Sequence, residues 1–294
     1  MISSDKIIRA TGKRSPFRLV IVDLTHTANE IGKKHGAKAY SLKLLSETAI
    51  ASLFLSSGLK FPGTVSVRLK FSGDISLIQA DSTPQGLVRA MIPQSEIREM
   101  NQFEPALLPQ QFEVVKLNEE GKRVSQSFSD ALEGSVGQNL ANYLLQSEQV
   151  RSAVGIEAVF NKENSSVLDY AVGFMIEAYP DLSEKDIAII EQVVLTLPAF
   201  RDFYKDSKFD LDAFVDTLKG PYDIDIVKEI TPEAYCPCSR DKILDSLATL
   251  PEADLEALSK ETNPLEIVCD FCRNKYDVMP GDISMILNKK KRKG

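Results

Sequence analysis

Only two histidines and four cysteines occur in the 294 residues. His26 and His35 both lie far upstream of the cysteines. No nearby imidazole therefore competes as a metal ligand, and the two read as polar residues flanking a helix rather than as catalytic groups. No apolar run is long enough to span a membrane. No leading stretch resembles a secretory signal either, because Asp5, Lys6 and Arg9 interrupt it early. A cytoplasmic protein is expected, in which thiols stay reduced and paired cysteines serve metal or redox chemistry more often than stable disulfides. Basic excess is missing too: 35 Lys and Arg against 42 Asp and Glu leave a net charge of -7, so broad nucleic-acid binding is not expected. Gly121 and the Gly134 to Gly137 stretch form no phosphate-binding loop in strand-to-helix context. Ser147, beside Glu148, has no histidine close in sequence and no nucleophile-elbow glycines. Nothing asks for ATP, and an enzyme is not expected.

What the chain does have is a concentrated thiol pattern. All four cysteines fall in Cys236-Pro-Cys238 and, after thirty intervening residues, Cys269-Asp-Phe-Cys272. Each tight pair can present two sulfurs to one ion, and zinc accepts tetrahedral four-sulfur ligation. With all four positions filled by sulfur there is no open coordination site for substrate water, which points away from catalytic zinc. The C-x-C half is tighter than the usual C-x₂₋₄-C knuckle, and Pro237 stiffens it. A disulfide within either pair would close only a very short loop and gain little from restricting the unfolded chain. Zinc-bound sulfur is held as thiolate, the form oxidants attack, and oxidation would release the metal together with whatever it folds. The site reads as a staple or as a switch, and the thiol chemistry leaves both open.

The rest of the chain predicts an α+β protein. Residues 1–180 read as an N-terminal mixed α/β domain with a β-sheet core. Phe17–Asp23 is a β-branched run. Thr25 or Thr27 is expected to cap a helix through His35, with Glu30 completing a capping box. A second helix is expected over 39–57, on a stripe of Leu42, Leu45, Ala49 and Leu53, ended by Gly58. Strands follow at 64–71, 77–80, 86–92 and 112–117, with turns at Gly73-Asp74 and Pro84-Gln-Gly86. A helix at 136–146 and a hairpin at 152–160 and 167–177 complete the domain. Residues 183–197 predict an amphipathic helix closed by Pro198.

Residues 181–231 read as a helical linker, and 232–294 as a small C-terminal zinc-binding domain. Between 199 and 230, Phe200, Phe203, Tyr204, Phe209, Leu211, Phe214, Val215 and Leu218 supply apolar side chains near helical spacing, interleaved with charge, until Gly220-Pro221 breaks the run. Such a segment packs as an ordinary connector or forms an arm that is stable only while docked.

Taken together, these residues resemble the Hsp33 family of redox-regulated chaperones. The cysteine pairs match its C-x-C … C-x-x-C signature, including the length between them, with Ser239, Phe271 and Tyr276 around them. Ser147-Glu-Gln149 with Ser152-Ala-Val154, Gly173-Phe174, and Ala80-Asp81 with Gly86-Leu-Val-Arg89 resemble further family motifs. Arg151 stands where the family has proline and Val172 where it often has glycine. The family's glycine-proline turn after Gly73-Asp74 is missing, and a tail from Lys289 to Lys293 reads as a solvated end.

The resemblance implies an ATP-independent holdase with one Zn²⁺ per chain on Cys236, Cys238, Cys269 and Cys272. It also implies a quiet reduced state, and oxidation to Cys236–Cys238 and Cys269–Cys272 disulfides. Zinc loss and unfolding of the linker, whose eight apolar residues are the client-binding candidates, would follow. Unfolding client proteins and, in the active state, a homodimer are the implied partners, with no membrane. The competing reading is a zinc-ribbon nucleic-acid-binding protein whose metal is purely structural.

Overall fold

A helix that is apolar on every side has to be covered on every side. Residues Ala39–Ser56 (α2) form such a helix in the computed structural model, which describes residues 5–13, 17–71, 77–93, 109–179 and 182–291. Leu42, Leu45, Ala49 and Leu53 are buried as expected, but so are Leu44, Thr48, Ala51 and Leu55 on the other faces. The single stripe expected of α2 is thus an underestimate. The reason is its place between two sheets, where it packs on strands of both. The buried hydroxyls of Ser46 and Thr48 bond back into the helix, to the Leu42 and Leu44 carbonyls. At Gly173 the helix comes so near the sheet that an added Cβ would meet the Phe54 ring at 3.1 Å and the Ile50 side chain at 3.2 Å.

The first sheet contains β1 (Lys6–Gly12), β2 (Phe17–Asp23), β8 (Ser152–Phe160), β9 (Leu168–Ala178) and β12 (Ile224–Ile230). They lie in the order β12-β1-β2-β9-β8, antiparallel throughout. The second contains β3 (Gly63–Phe71), β4 (Leu77–Ser82), β5 (Leu87–Met91), β6 (Pro109–Asn118), β7 (Arg123–Asp130) and β13 (Glu233–Ala234), in the order β13-β5-β4-β3-β6-β7. Strands β1 and β7 have no counterpart in the expected elements, and the Gly73-Asp74 turn lies outside the described residues. The chain forms two units, Met1–Tyr235 and Cys236–Gly294.

Successive residues of the first sheet serve different cores. Ile7, Val20, Val22 and Met175 face α2, whereas Ile8, Leu19, Ile21, Phe174 and Ile176 face the opposite side. A sheet buried on both faces reads as continuous apolar runs, and the run Phe17–Asp23 is one. The far face is covered by α4 (Glu184–Thr196), a short turn at Phe200–Phe203, the hairpin β10 (Tyr204–Lys205) and β11 (Lys208–Phe209), and α5 (Leu211–Tyr222).

This segment departs from the helical reading in three ways. A two-residue hairpin turn divides it, with Asp206 and Ser207 at φ of 51° and 60°, the geometry of a tight primed turn. Gly220-Pro221 does not end the run, because α5 continues to Tyr222 and stops at Asp223, with φ of 47°. Residues Ile224–Ile230 are not helical at all but add the edge strand β12 beside β1.

The first helix, α1 (Thr25–His35), also starts differently from its expected capping box. Its N-cap position is Leu24, and no side chain there makes the cap. The Asp5 carboxylate instead accepts the N–H groups of His26 (2.9 Å) and Thr27 (2.6 Å), while Asp23 accepts the N–H and hydroxyl of Thr25. Glu30 is engaged by Lys34. Carboxylates from outside the helix satisfy the free N–H groups of the first turn as well as a capping box does.

Burial pushes Asp23 up to about 6, against the hydrogen bonds from Thr25 that favour its charged form. A carboxyl raised by folding contributes stability that is fully present below its unfolded value, near 4, and is lost as pH rises through the folded value. Asp23→Asn keeps the acceptor and cannot ionise. It is expected to gain on the order of 2–3 kcal/mol over the parent between pH 4 and pH 7.5, read as the difference in urea midpoints. A parallel pH dependence in both proteins would contradict this.

Candidate metal centre

The second unit builds its site from one hairpin loop and the extended segment that leads into a helix. Strands β14 (Leu265–Val268) and β15 (Lys275–Val278) pair antiparallel, and the loop joining them carries Cys269-Asp-Phe-Cys272. The Cys269 N–H donates to the Asn274 carbonyl at 2.9 Å and the Arg273 N–H to the Cys269 carbonyl at 2.9 Å. Arg273 takes a left-handed φ of 59° to close the turn. The Asn274 backbone N–H donates to the Cys272 sulfur. The other pair, Cys236-Pro-Cys238, directly precedes α6 (Arg240–Leu247), whose N-cap Ser239 accepts the Lys242 N–H.

These two segments bring the four sulfurs together. All lie within 4.8 Å of one another, none forms a disulfide, and the closest approaches run across the two pairs. Cys236 Sγ is 3.8 Å from Cys269 Sγ, and Cys238 Sγ is 3.2 Å from Cys272 Sγ. Zinc–sulfur bonds of about 2.3 Å in a tetrahedron put the sulfurs about 3.8 Å apart, so the arrangement fits a four-thiolate ion. Cys272 is buried and the other three half-buried. The Cys272 thiol is pushed up to about 12 by burial, with the neighbouring cysteines adding to the shift and the Asn274 N–H opposing it. Thiolates crowded this closely repel one another unless a cation sits among them. The hydroxyl of Tyr276 lies 3.0 Å from Cys238 Sγ, a contact that the spacing of the cysteines does not signal.

The metal would support a small core. Helices α7 (Glu252–Ser259) and α8 (Pro280–Lys291) enclose Leu247, Leu255, Val278, Ile283 and Leu287, the buried apolar residues of this unit's core among those described. So few buried side chains leave such a unit marginal without a staple. The lysine tail is not wholly the solvated end expected of it. Lys290 donates to the Ala248 and Leu250 carbonyls at 3.3 and 2.6 Å, and Lys291 pairs with Glu256. Both lysines fall in the last turn of α8 and help close the unit.

The linker residues are brought together as well, and they face inward. Phe203, Phe209, Leu211, Phe214, Val215 and Leu218 are buried, and Phe200 and Tyr204 pack half-buried against the same cluster. Phe214 stands at its centre, with ring centroids 5.3 Å from both Phe200 and Phe203. The sheet supplies the other half through Phe174, against Phe200 and Phe214, and Tyr170, against Tyr204 and Phe209. His26 and His35 occupy the first and last turns of α1, as expected of helix-flanking residues. Both belong to the first unit, whereas the sulfurs belong to the second.

A two-sheet α+β unit followed by a small unit holding four convergent thiols defines a thiol-site protein of one architectural class. The chain belongs to the Hsp33 family, whose profile, described as Hsp33 protein, matches residues 5–279. It is 28% identical over 290 residues to a 33 kDa chaperonin of Streptococcus suis, covering 97% of this chain and 99% of that one. A 33 kDa chaperonin of Streptococcus pyogenes is 29% identical over 291 residues, with 97% and 99% covered. The crystal structure of a 33 kDa chaperonin (heat shock protein 33 homolog) from Thermotoga maritima superimposes with a TM-score of 0.82 over 99% of this chain and 100% of that one. At 20% identity, that likeness speaks to the fold. No described helix is long and apolar enough to cross a membrane.

Proposed function

We propose that this chain is a redox-regulated holdase of the cytoplasm, acting without ATP on unfolding proteins. The observation that carries the reading is the convergence of Cys236, Cys238, Cys269 and Cys272 in a unit whose own core is slight. Zinc, one per chain, would hold the four sulfurs as thiolates and contribute folding energy on the order of 10 kcal/mol. That is as large as the whole stability of a typical domain.

Under peroxide, Cys236 and Cys238 would lose two electrons to form one S–S bond, and Cys269 and Cys272 a second. Each bond reduces one peroxide to two hydroxide ions. Disulfide sulfurs carry no charge to hold a cation, so the unit loses its staple.

The segment 181–231 is the proposed arm, with 1–180 as the chaperone core and 232–294 as the switch. The arm's last strand, β12, is followed by β13, and β13 by Tyr235, whose N–H donates to the Val88 carbonyl immediately before Cys236. The eight apolar residues from Phe200 to Leu218 are the proposed client-binding surface. They are buried or half-buried here, which fits a quiet state. Release of the arm would bare both them and the face of the first sheet beneath, and a homodimer is the proposed active form.

Light scattering of a denatured client tests the reading. The peroxide-treated chain is expected to suppress aggregation without nucleotide and the reduced chain to leave it unaffected. Equal scattering from both, or salt-dependent nucleic-acid binding in place of client binding, would overturn it.

A further inference from the structure

We propose that Tyr276 is a positioning residue of the thiolate site, its hydroxyl holding the Cys238 sulfur and setting how fast that sulfur is lost to metal and to oxidant. The inference rests on the metal reading given above and deepens it.

The two halves of the site differ in what they can offer their own sulfurs. In the Cys269–Cys272 loop, the Asn274 N–H donates to Cys272 from the same turn. In the other half, the one residue between the sulfurs is Pro237, which has no N–H to give. A donor for Cys238 arrives instead from the opposite hairpin. Tyr276 sits on β15, opposite Ile267 of β14, half-buried, with its hydroxyl 3.0 Å from Cys238 Sγ. A sulfur that ligates a cation carries no proton, so in that state the phenol O–H is the donor and the thiolate accepts.

A donor aimed at a ligand does two things. It fixes the sulfur where the ion needs it, and it engages a lone pair that would otherwise attack. The attack in question is balanced. The thiolate sulfur takes one peroxide oxygen, the O–O bond breaks and hydroxide leaves. A second thiolate then displaces hydroxide from the sulfenic acid to close the S–S bond. With its lone pair engaged by Tyr276, Cys238 enters that sequence more slowly than it would without the donor.

Tyr276→Phe keeps the ring and removes only the donor. On the full chain, zinc affinity by chelator competition is expected to fall about tenfold. A sulfenic-acid trap present during a short peroxide pulse, read site by site by mass spectrometry, is expected to label Cys238 more strongly relative to Cys236 than in the wild type. That internal ratio separates the inference from simple loosening, which would raise all four cysteines together. A wild-type chain that binds no zinc overturns the metal reading and this role with it. A wild type that binds zinc, with a variant matching it in affinity and in the Cys238-to-Cys236 ratio, overturns the role of Tyr276 alone. A uniform rise in all four cysteines overturns it equally.

Discussion

Cys272→Ser is expected to empty the second unit of metal and of stable structure at once. Cys272 is the buried member of the four, packed 3.2 Å from Cys238, and a serine hydroxyl neither ionises readily nor reaches as far as a thiolate. Three remaining sulfurs bind zinc far more weakly than four. The core of Leu247, Leu255, Val278, Ile283 and Leu287 has little to set against the loss of a contribution on the order of 10 kcal/mol. Elemental analysis should find zinc falling from one per chain to well below that. Hydrogen exchange should show residues 236–291 losing protection and the arm following, while α2 and the strands outside the arm keep theirs. The same variant is expected to suppress client aggregation without oxidant. Full zinc stoichiometry in Cys272→Ser would mean that the sulfurs converge for some other reason.

Phe214→Ala is expected to free the arm without touching a cysteine. Phe214 is 1% exposed and touches the rings of Phe174, Phe200, Phe203 and Phe209. It therefore joins α5, the short turn and the hairpin to the sheet. Truncating a buried phenylalanine costs about 3–5 kcal/mol. Local opening of a surface segment needs less than the 5–15 kcal/mol of global unfolding. Residues 182–222 of the reduced, zinc-loaded variant should then exchange their amides quickly, and Ile8, Leu19, Ile21 and Phe174 should become open to solvent and to clients. Holdase activity in the reduced state is the expected consequence. Slow exchange in the arm, or fast exchange with no client binding, would separate arm release from function.

How much of this was legible in the chain depended on the range of the interactions. The convergence of the four cysteines was legible because the spacing within each pair is local and a shared ion would draw both pairs to one point. The strands Phe17–Asp23 and Gly63–Phe71 were legible because their faces are buried in regular patterns. Strand β7 was not, being a polar edge strand rich in serine. It is held by its register to β6 and by Asn142 and Ser147, whose side chains bond the Asp130 and Phe128 carbonyls. Nor was the start of α1, where Asp5 reaches His26 and Thr27 from just ahead of the neighbouring strand β1. The arm was half legible. Its apolar residues stood out, but that β12 would pair with β1, some two hundred residues earlier, is a long-range fact that no local pattern encodes. Tyr276 lay in plain view beside the last cysteine pair, yet its contact is with the first pair.

The central claim is that oxidation of the four thiols, loss of metal and gain of client binding are one event. The direct measurement follows zinc release, with a colorimetric chelator, and suppression of client aggregation in the same peroxide-treated sample over time, without ATP. The account predicts one zinc released per chain, with holdase activity appearing as zinc leaves or just after. Zinc retained while activity appears, or zinc lost with no activity following, would contradict it.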